Sequence, residues 1–183
     1  EDKRTTFCGT NSTKSNRYIT EFNVPTFCAQ PLAITTDPSG NVWFTESNTG
    51  NIATFDPFSR VFMEYQNARW PKGDQSMMWG IAHASDGSVW FTDESHDVLW
   101  KFSEKNFTSF KYPPSDKGET FPQRIVMDGQ KLLVNDFTGN KITFFDSSQT
   151  GQKINYTIRN SPTIDTVTAA LTLDSDKKIW YTV

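Results

Sequence analysis

Glu46, Asp93 and Asp136 each close a five-residue apolar segment of similar pattern, and Glu94 and His96 stand beside the second of them. Carboxylates repeated at one level of a structure can hold a hard divalent cation such as Mg2+ or Ca2+, which takes oxygen ligands, or a polar ligand. A histidine beside them adds a metal ligand or a general base that titrates near neutral pH. The same acids equally suit a structural role, accepting backbone amides at strand ends while facing solvent. The chain's other histidine, His83, precedes the Ser85-Asp86-Gly87 turn, at the far end of the intervening segment from His96, so the two are not expected to face one another. No GxGxxG, CxxC, HExxH, P-loop or serine nucleophile elbow is present, no catalytic set can be assigned, and no cofactor is evident beyond that divalent cation.

The segments that would position these groups are copies of one unit. Asp37-Pro38-Ser39-Gly40-Asn41-Val42-Trp43-Phe44-Thr45-Glu46 returns as Ser85-Asp86-Gly87-Ser88-Val89-Trp90-Phe91-Thr92-Asp93. Weaker copies run from Met127-Asp128-Gly129 to Asp136 and from Leu173-Asp174 to Val183. Anchored on Trp43, Trp90, Leu133 and Trp180, the spacings are 47, 43 and 47 residues, inside the range of four-stranded propeller blades. Each unit reads as an inner strand (32–36, 79–83, 124–127, 169–173), a tight turn, and a second strand (42–46, 89–93, 132–135, 179–183). Asp86-Gly87 and Asp128-Gly129 are hairpin signals, because glycine supplies the positive φ that such turns require. Third strands follow at 52–55, 98–102 and 142–145, and outer strands at 62–67, 107–114 and 153–158. No 3.6-residue period persists, so the fold class is all-β: a propeller of four-stranded antiparallel blades.

The expected layout is an N-terminal arm (1–17), then the propeller over 18–183. Within it, 18–24 is a closing outer strand of a last blade, 27–68, 74–114 and 120–160 are blades, and 167–183 starts another. About three and a half blades make an incomplete ring where closure takes roughly 4 to 8, so further blades or another propeller chain are expected to complete it. Trp43, Phe44, Trp90, Phe91 and Trp180 are expected to pack between blades. Trp70, Met77, Met78 and Trp79, between the first two blades, are expected to form an apolar rim patch suited to a protein partner.

A net charge of −3 and a pI near 5.4 leave no basic surface for a nucleic-acid partner, and no apolar run reaches the roughly 18 residues of a membrane span. Cys8 and Cys28 are placed to close a disulfide loop worth about 3 kcal/mol in an oxidising compartment. Sequons at Asn11, Asn106 and Asn155 add N-glycan acceptors. Together they point to an extracytoplasmic, secreted or cell-surface, glycosylated protein.

Pro31-Leu32-Ala33-Ile34-Thr35-Thr36-Asp37-Pro38-Ser39-Gly40-Asn41-Val42-Trp43-Phe44-Thr45-Glu46 and Gly80-Ile81-Ala82-His83-Ala84-Ser85-Asp86-Gly87-Ser88-Val89-Trp90-Phe91-Thr92-Asp93 resemble the repeat of the streptogramin B lyase (virginiamycin B lyase) family. That repeat reads roughly P-x-G-I-x-x-x-x-D-G-x-x-W-F-T-E. The resemblance covers about 18–183 and implies a seven-bladed propeller. It also implies a magnesium-dependent carbon-oxygen elimination that opens a cyclic depsipeptide lactone, with histidine and glutamate at one mouth of the ring. Where the family motif often has an aromatic or histidine after the proline, this chain has Leu32, Trp79, Gln123 and Ala169, so no catalytic constellation transfers. Two functions are therefore expected: a binding or scaffold module, as a peripheral subunit of a cell-envelope assembly, or a lyase-like or lactone-opening enzyme whose catalytic residues lie in blades beyond 183.

Overall fold

A computed structural model describes residues 8, 13–71, 76–115, 118–148, 156–160 and 167–182. Every regular element among them is a strand: β1 (Pro31–Thr36), β2 (Val42–Glu46), β3 (Asn51–Asp56), β4 (Val61–Tyr65), β5 (Ile81–His83), β6 (Val89–Asp93), β7 (Val98–Ser103), β8 (Asn106–Lys111), β9 (Pro122–Asp128), β10 (Lys131–Asp136), β11 (Lys141–Asp146), β12 (Tyr156–Asn160), β13 (Leu171–Leu173) and β14 (Ile179–Tyr181). They form antiparallel meanders in the orders β1-β2-β3-β4, β5-β6-β7-β8 and β9-β10-β11-β12, with β13-β14 opening a fourth blade. The expected all-β incomplete propeller is what the chain forms, with β2 and β6 at their expected bounds. No helix of the described residues is long and apolar enough to cross a membrane.

Strand alternation assigns each blade two faces. In blade one, Trp43 and Thr45 look forward to blade two, while Val42, Phe44 and Glu46 look back. Trp43 stacks on Tyr65 and meets Phe102 of blade two at 6.0 Å between ring centroids. Trp90 repeats this one blade on, fully buried among Phe110, Ile125 and Leu132. Leu133 takes the equivalent place in blade three, against Leu171 of blade four. Each core is thus an interface between blades.

A second repeated device ties the blades together. Thr45 accepts the amide of Ala33 and donates to the carbonyl of Met78, at 3.0 and 3.1 Å. Thr92 accepts from Gly80 and donates to Gln123, at 3.0 and 2.6 Å. Asn135 accepts from Arg124 at 2.7 Å and donates through Nδ2 to the carbonyl of Thr168. The clasp satisfies an amide freed where the inner strand shifts register, as between Pro31 and Ile34, and spends its own donor on the next blade. Gly80 is glycine for the same junction: a Cβ there would lie 2.2 Å from the Gln123 carbonyl.

Three expectations need correction or placing. Residues 18–24, expected to close a last blade that lies outside this sequence, have no ladder partner among the described residues; the segment runs over the back of blade one, with Phe22 4.7 Å from Phe55. Cys8 and Cys28 are disulfide-bonded. Asn106 is exposed at the start of β8, directly after a two-residue turn in which Glu104 and Lys105 both have positive φ, whereas Asn11 and Asn155 lie outside the described residues.

Candidate functional site

Glu46, Asp93 and Asp136 end the second strands of three blades and are fully buried, so they do not face solvent. Each carboxylate folds over the four-residue turn that follows it. Asp136 accepts the amides of Gly139 and Phe121, both at 2.9 Å, and pairs with the buried ammonium of Lys141 at 3.4 Å. Lys141 spends its other protons on the carbonyls of Pro113 and Pro114, at 3.0 and 2.8 Å. Gly139 must be glycine, since a Cβ would meet the Asp136 carboxylate at 2.1 Å. This aspartate welds its turn to the preceding blade.

Asp93 accepts Trp100 Nε1 at 3.1 Å and His96 Nδ1 at 2.8 Å to each oxygen. A carboxylate only accepts, so Nδ1 of His96 carries the proton and Nε2 is the acceptor of the neutral ring. The His96 side chain is 25% exposed and meets Trp70 edge-on at 5.4 Å. An acid that fixes an imidazole tautomer is half of a general-base arrangement. His83 pairs with Val89 at the opposite end of β6. Glu94 turns away from Asp93 to accept Gln123 Nε2 of the next blade at 3.2 Å.

Glu46 differs from its counterparts. One oxygen accepts Thr49 Oγ1 and Asn51 Nδ2 at 3.1 and 3.3 Å, while Oε1 has no hydrogen-bond donor. Burial, and then the charge and contact of the Glu64 carboxyl, push Glu46 up to about 7. Glu64 lies on β4 and faces the same side of the sheet, and it accepts both Thr26 N and Thr26 Oγ1 at 2.8 Å. Sequence reasoning passed over Glu64; its signal was an acid inside an apolar outer strand, on the face that also carries Phe62.

The candidate acids are therefore held apart in separate turns, and among the described residues no three His, Cys, Asp or Glu side chains gather to hold a metal ion. The expected rim patch also divides. Trp70 and Met78 are buried in the core between blades one and two, and only Met77 and Trp79 stay half-exposed. Trp70 is drawn inward because Gly50 lets its indole lie where a Cβ would be only 2.0 Å away. Arg124 covers Trp79, with its guanidinium 5.9 Å from the ring and donating to the Trp79 carbonyl at 2.9 Å.

No family model matches the chain, and no curated protein matches it. Among solved structures, selenomethionine-substituted virginiamycin B lyase from Staphylococcus aureus matches with a TM-score of 0.74 at 21% identity, over 88% of this chain and 52% of that one. A catalytically inactive form of that lyase with quinupristin matches at 0.70 and 26% identity, over 88% and 51%. The extracellular domain of a protein assigned as a hybrid two component system from B. thetaiotaomicron matches at 0.54 and 15% identity, over 81% and 18%. The chain has the streptogramin B lyase propeller fold and spans about half the length of the lyase structures it matches.

Proposed function

We propose that this chain is an extracytoplasmic binding or scaffold module that works by joining its blades to further blades of the same repeat, as a peripheral subunit of a cell-envelope assembly. The observation that carries the reading is the forward face of blade four. Trp180 there is anchored as its counterparts are, donating Nε1 to Asp174 at 2.9 Å as Trp43 does to Asp37 at 3.1 Å, yet it is 62% exposed. Thr182 accepts the amides of Ala169 and Ala170 at 3.3 and 3.1 Å, and among the described residues its hydroxyl proton has no acceptor beyond its own blade. Both halves of the junction device are thus formed on this face within blade four itself. The occupant whose chemistry fits is a blade of this repeat: an inner-strand carbonyl for Thr182 and an apolar back face for Trp180.

The disulfide, the exposed sequon at Asn106 and the fold shared with an extracellular domain support the compartment. The lactone-opening reading has the Asp93–His96 pair in its favour, without a cation-holding group among the described residues. Sedimentation velocity over a concentration series tests the assembly reading, with a second copy of this chain as the probe. The wild type is expected to self-associate, and Trp180→Lys to sediment as a monomer with unchanged circular dichroism. Monomeric wild type throughout, or equal association by Trp180→Lys, rejects it.

A further inference from the structure

The chain passes from β7 to β8 in two residues. Glu104 and Lys105 both take positive φ, 51° and 62°, so Ser103 pairs directly with Asn106 and all three of Glu104, Lys105 and Asn106 are exposed. Asn106-Phe107-Thr108 is an N-x-S/T sequon, and β8 sorts its residues by face. Side chains alternate along a strand, so Asn106 and Thr108 fall on one side and Phe107 on the other. Phe107 is buried, with its ring 4.8 Å from Phe102 and 6.2 Å from Phe91, which fixes that alternation. Phe110, two residues past Thr108 on the same side, lies in the core between blades two and three. Asn106 is thus the open end of a face whose other end is buried.

The acceptor atom would be Nδ2 of Asn106. It donates to the carbonyl of Glu104 at 3.0 Å, which holds the amide beside the turn and uses one of its two protons. A glycosyl group replaces the other. In that transfer a bond forms between Nδ2 and the anomeric carbon of an N-acetylhexosamine, while the bond from this carbon to the diphosphate of a polyprenyl-linked oligosaccharide breaks. The lipid diphosphate leaves with the electron pair, and Nδ2 gives one proton to a base of the transferring enzyme. The remaining N–H still serves Glu104. An asparagine that only capped the turn would make the same bond, but it would need no hydroxyl two residues on.

The position of Asn106 in the blade gives a sugar there a task. β8 is the outer strand: it pairs with β7, and its other edge has no ladder partner among the described residues. An unpaired edge is a template for another chain, and a bulky, hydrated glycan blocks it. Val98 opens β7 opposite Asp93 and Ser103 closes it opposite Asn106, so Asn106 stands about 17 Å along the strand from the Asp93–His96 turn. A glycan there covers the outer edge at one rim and leaves the rim of the acid and the histidine open. We infer that Asn106 carries an N-linked glycan, and that this glycan shields the free edge of β8 from pairing with other chains. The inference rests on the extracytoplasmic part of the proposed function and not on the association of blade faces.

The test is secretion of the chain from a eukaryotic host, with peptide mapping by mass spectrometry before and after enzymatic removal of N-glycans, which leaves aspartate where a glycosylated asparagine stood. Conversion of Asn106 in the wild type is expected only after that treatment, and Asn106→Gln and Thr108→Val should each lose one glycan from the intact mass. Thr108→Val keeps Asn106 and its bond to Glu104, so it separates the sugar from the side chain. Unconverted Asn106 in the secreted wild type overturns the site. For a variant that is not secreted, translation with microsomes reads the same loss without requiring the final fold. Light scattering at fixed concentration and temperature reads the edge: both variants should aggregate several-fold faster than the glycosylated wild type, from the same circular dichroism. One rate for all three overturns the shielding role. A glycan at Asn106 on a chain that stays monomeric leaves the site standing and rejects the assembly; an unmodified Asn106 on a chain that self-associates does the reverse.

Discussion

The back face of blade one and the forward face of blade four have the same repeat chemistry and different surroundings. At the back of blade one, Phe44 is almost fully buried and Thr26, ahead of β1, donates to Glu64. At the front of blade four, Trp180 holds the hydrogen bond that orients it and is otherwise open. Between these ends, Trp90 has the same role with no exposure at all. The local unit, turn plus anchored tryptophan plus hydroxyl clasp, is therefore built within one blade and does not need its neighbour to take shape. What the neighbour supplies is burial, which is where most of the stabilisation of a propeller lies.

That contrast can be broken first at its tryptophans. Trp90→Ala should cost about 3–5 kcal/mol in denaturant unfolding, and Trp180→Ala less than about 0.5 kcal/mol in a monomeric sample; similar losses at both positions would show that Trp180 is already covered. Next is Glu46, at the back of blade one. The folded protein raises Glu46 from 4.5 to about 7, so the folded state holds this proton more tightly than the unfolded chain does. Its contribution is complete below about 4.5, declines as pH rises toward 7, and is gone above that, a loss of at most about 3 kcal/mol. Melting temperature followed from pH 4.5 to 8 should show this decline in the wild type, and Glu46→Gln should flatten it. Third, Thr92→Val keeps the shape of the interior clasp but strands the Gly80 amide and the Gln123 carbonyl, at a cost of about 1–3 kcal/mol. The smallest effect sharpens the other end: Thr182→Val should leave monomer stability within about 0.5 kcal/mol and weaken association alone, as read by sedimentation.

The second strands and their turns were legible because they depend on residues within the repeat. Val42 to Glu46 and Val89 to Asp93 follow from apolar segments bounded by turn residues, and Gly87 and Gly129 do adopt positive φ. The acids at the strand ends were legible as a set but not as buried groups, because their burial comes from the turn that folds back over each one and from the neighbouring blade. Trp70 and Met78 read as a rim patch because nothing local says that an indole can lie on Gly50. The segment 18–24 read as a strand from its alternation, but a strand needs a ladder partner, and packing of Phe22 on Phe55 took its place. Glu64 was the hardest to see, since its meaning depends on a buried acid two strands away.

The central claim is that the forward face of blade four is made to receive another blade. The most direct measurement is fluorine NMR of the chain carrying 5-fluorotryptophan, with the Trp180 resonance assigned through Trp180→Phe and followed as unlabelled chain is added. The account predicts that the Trp180 signal moves and broadens while those of Trp43, Trp90 and Trp100 stay in place. A Trp180 signal that stays fixed at every concentration, or one that moves no more than those of the buried tryptophans, would contradict it.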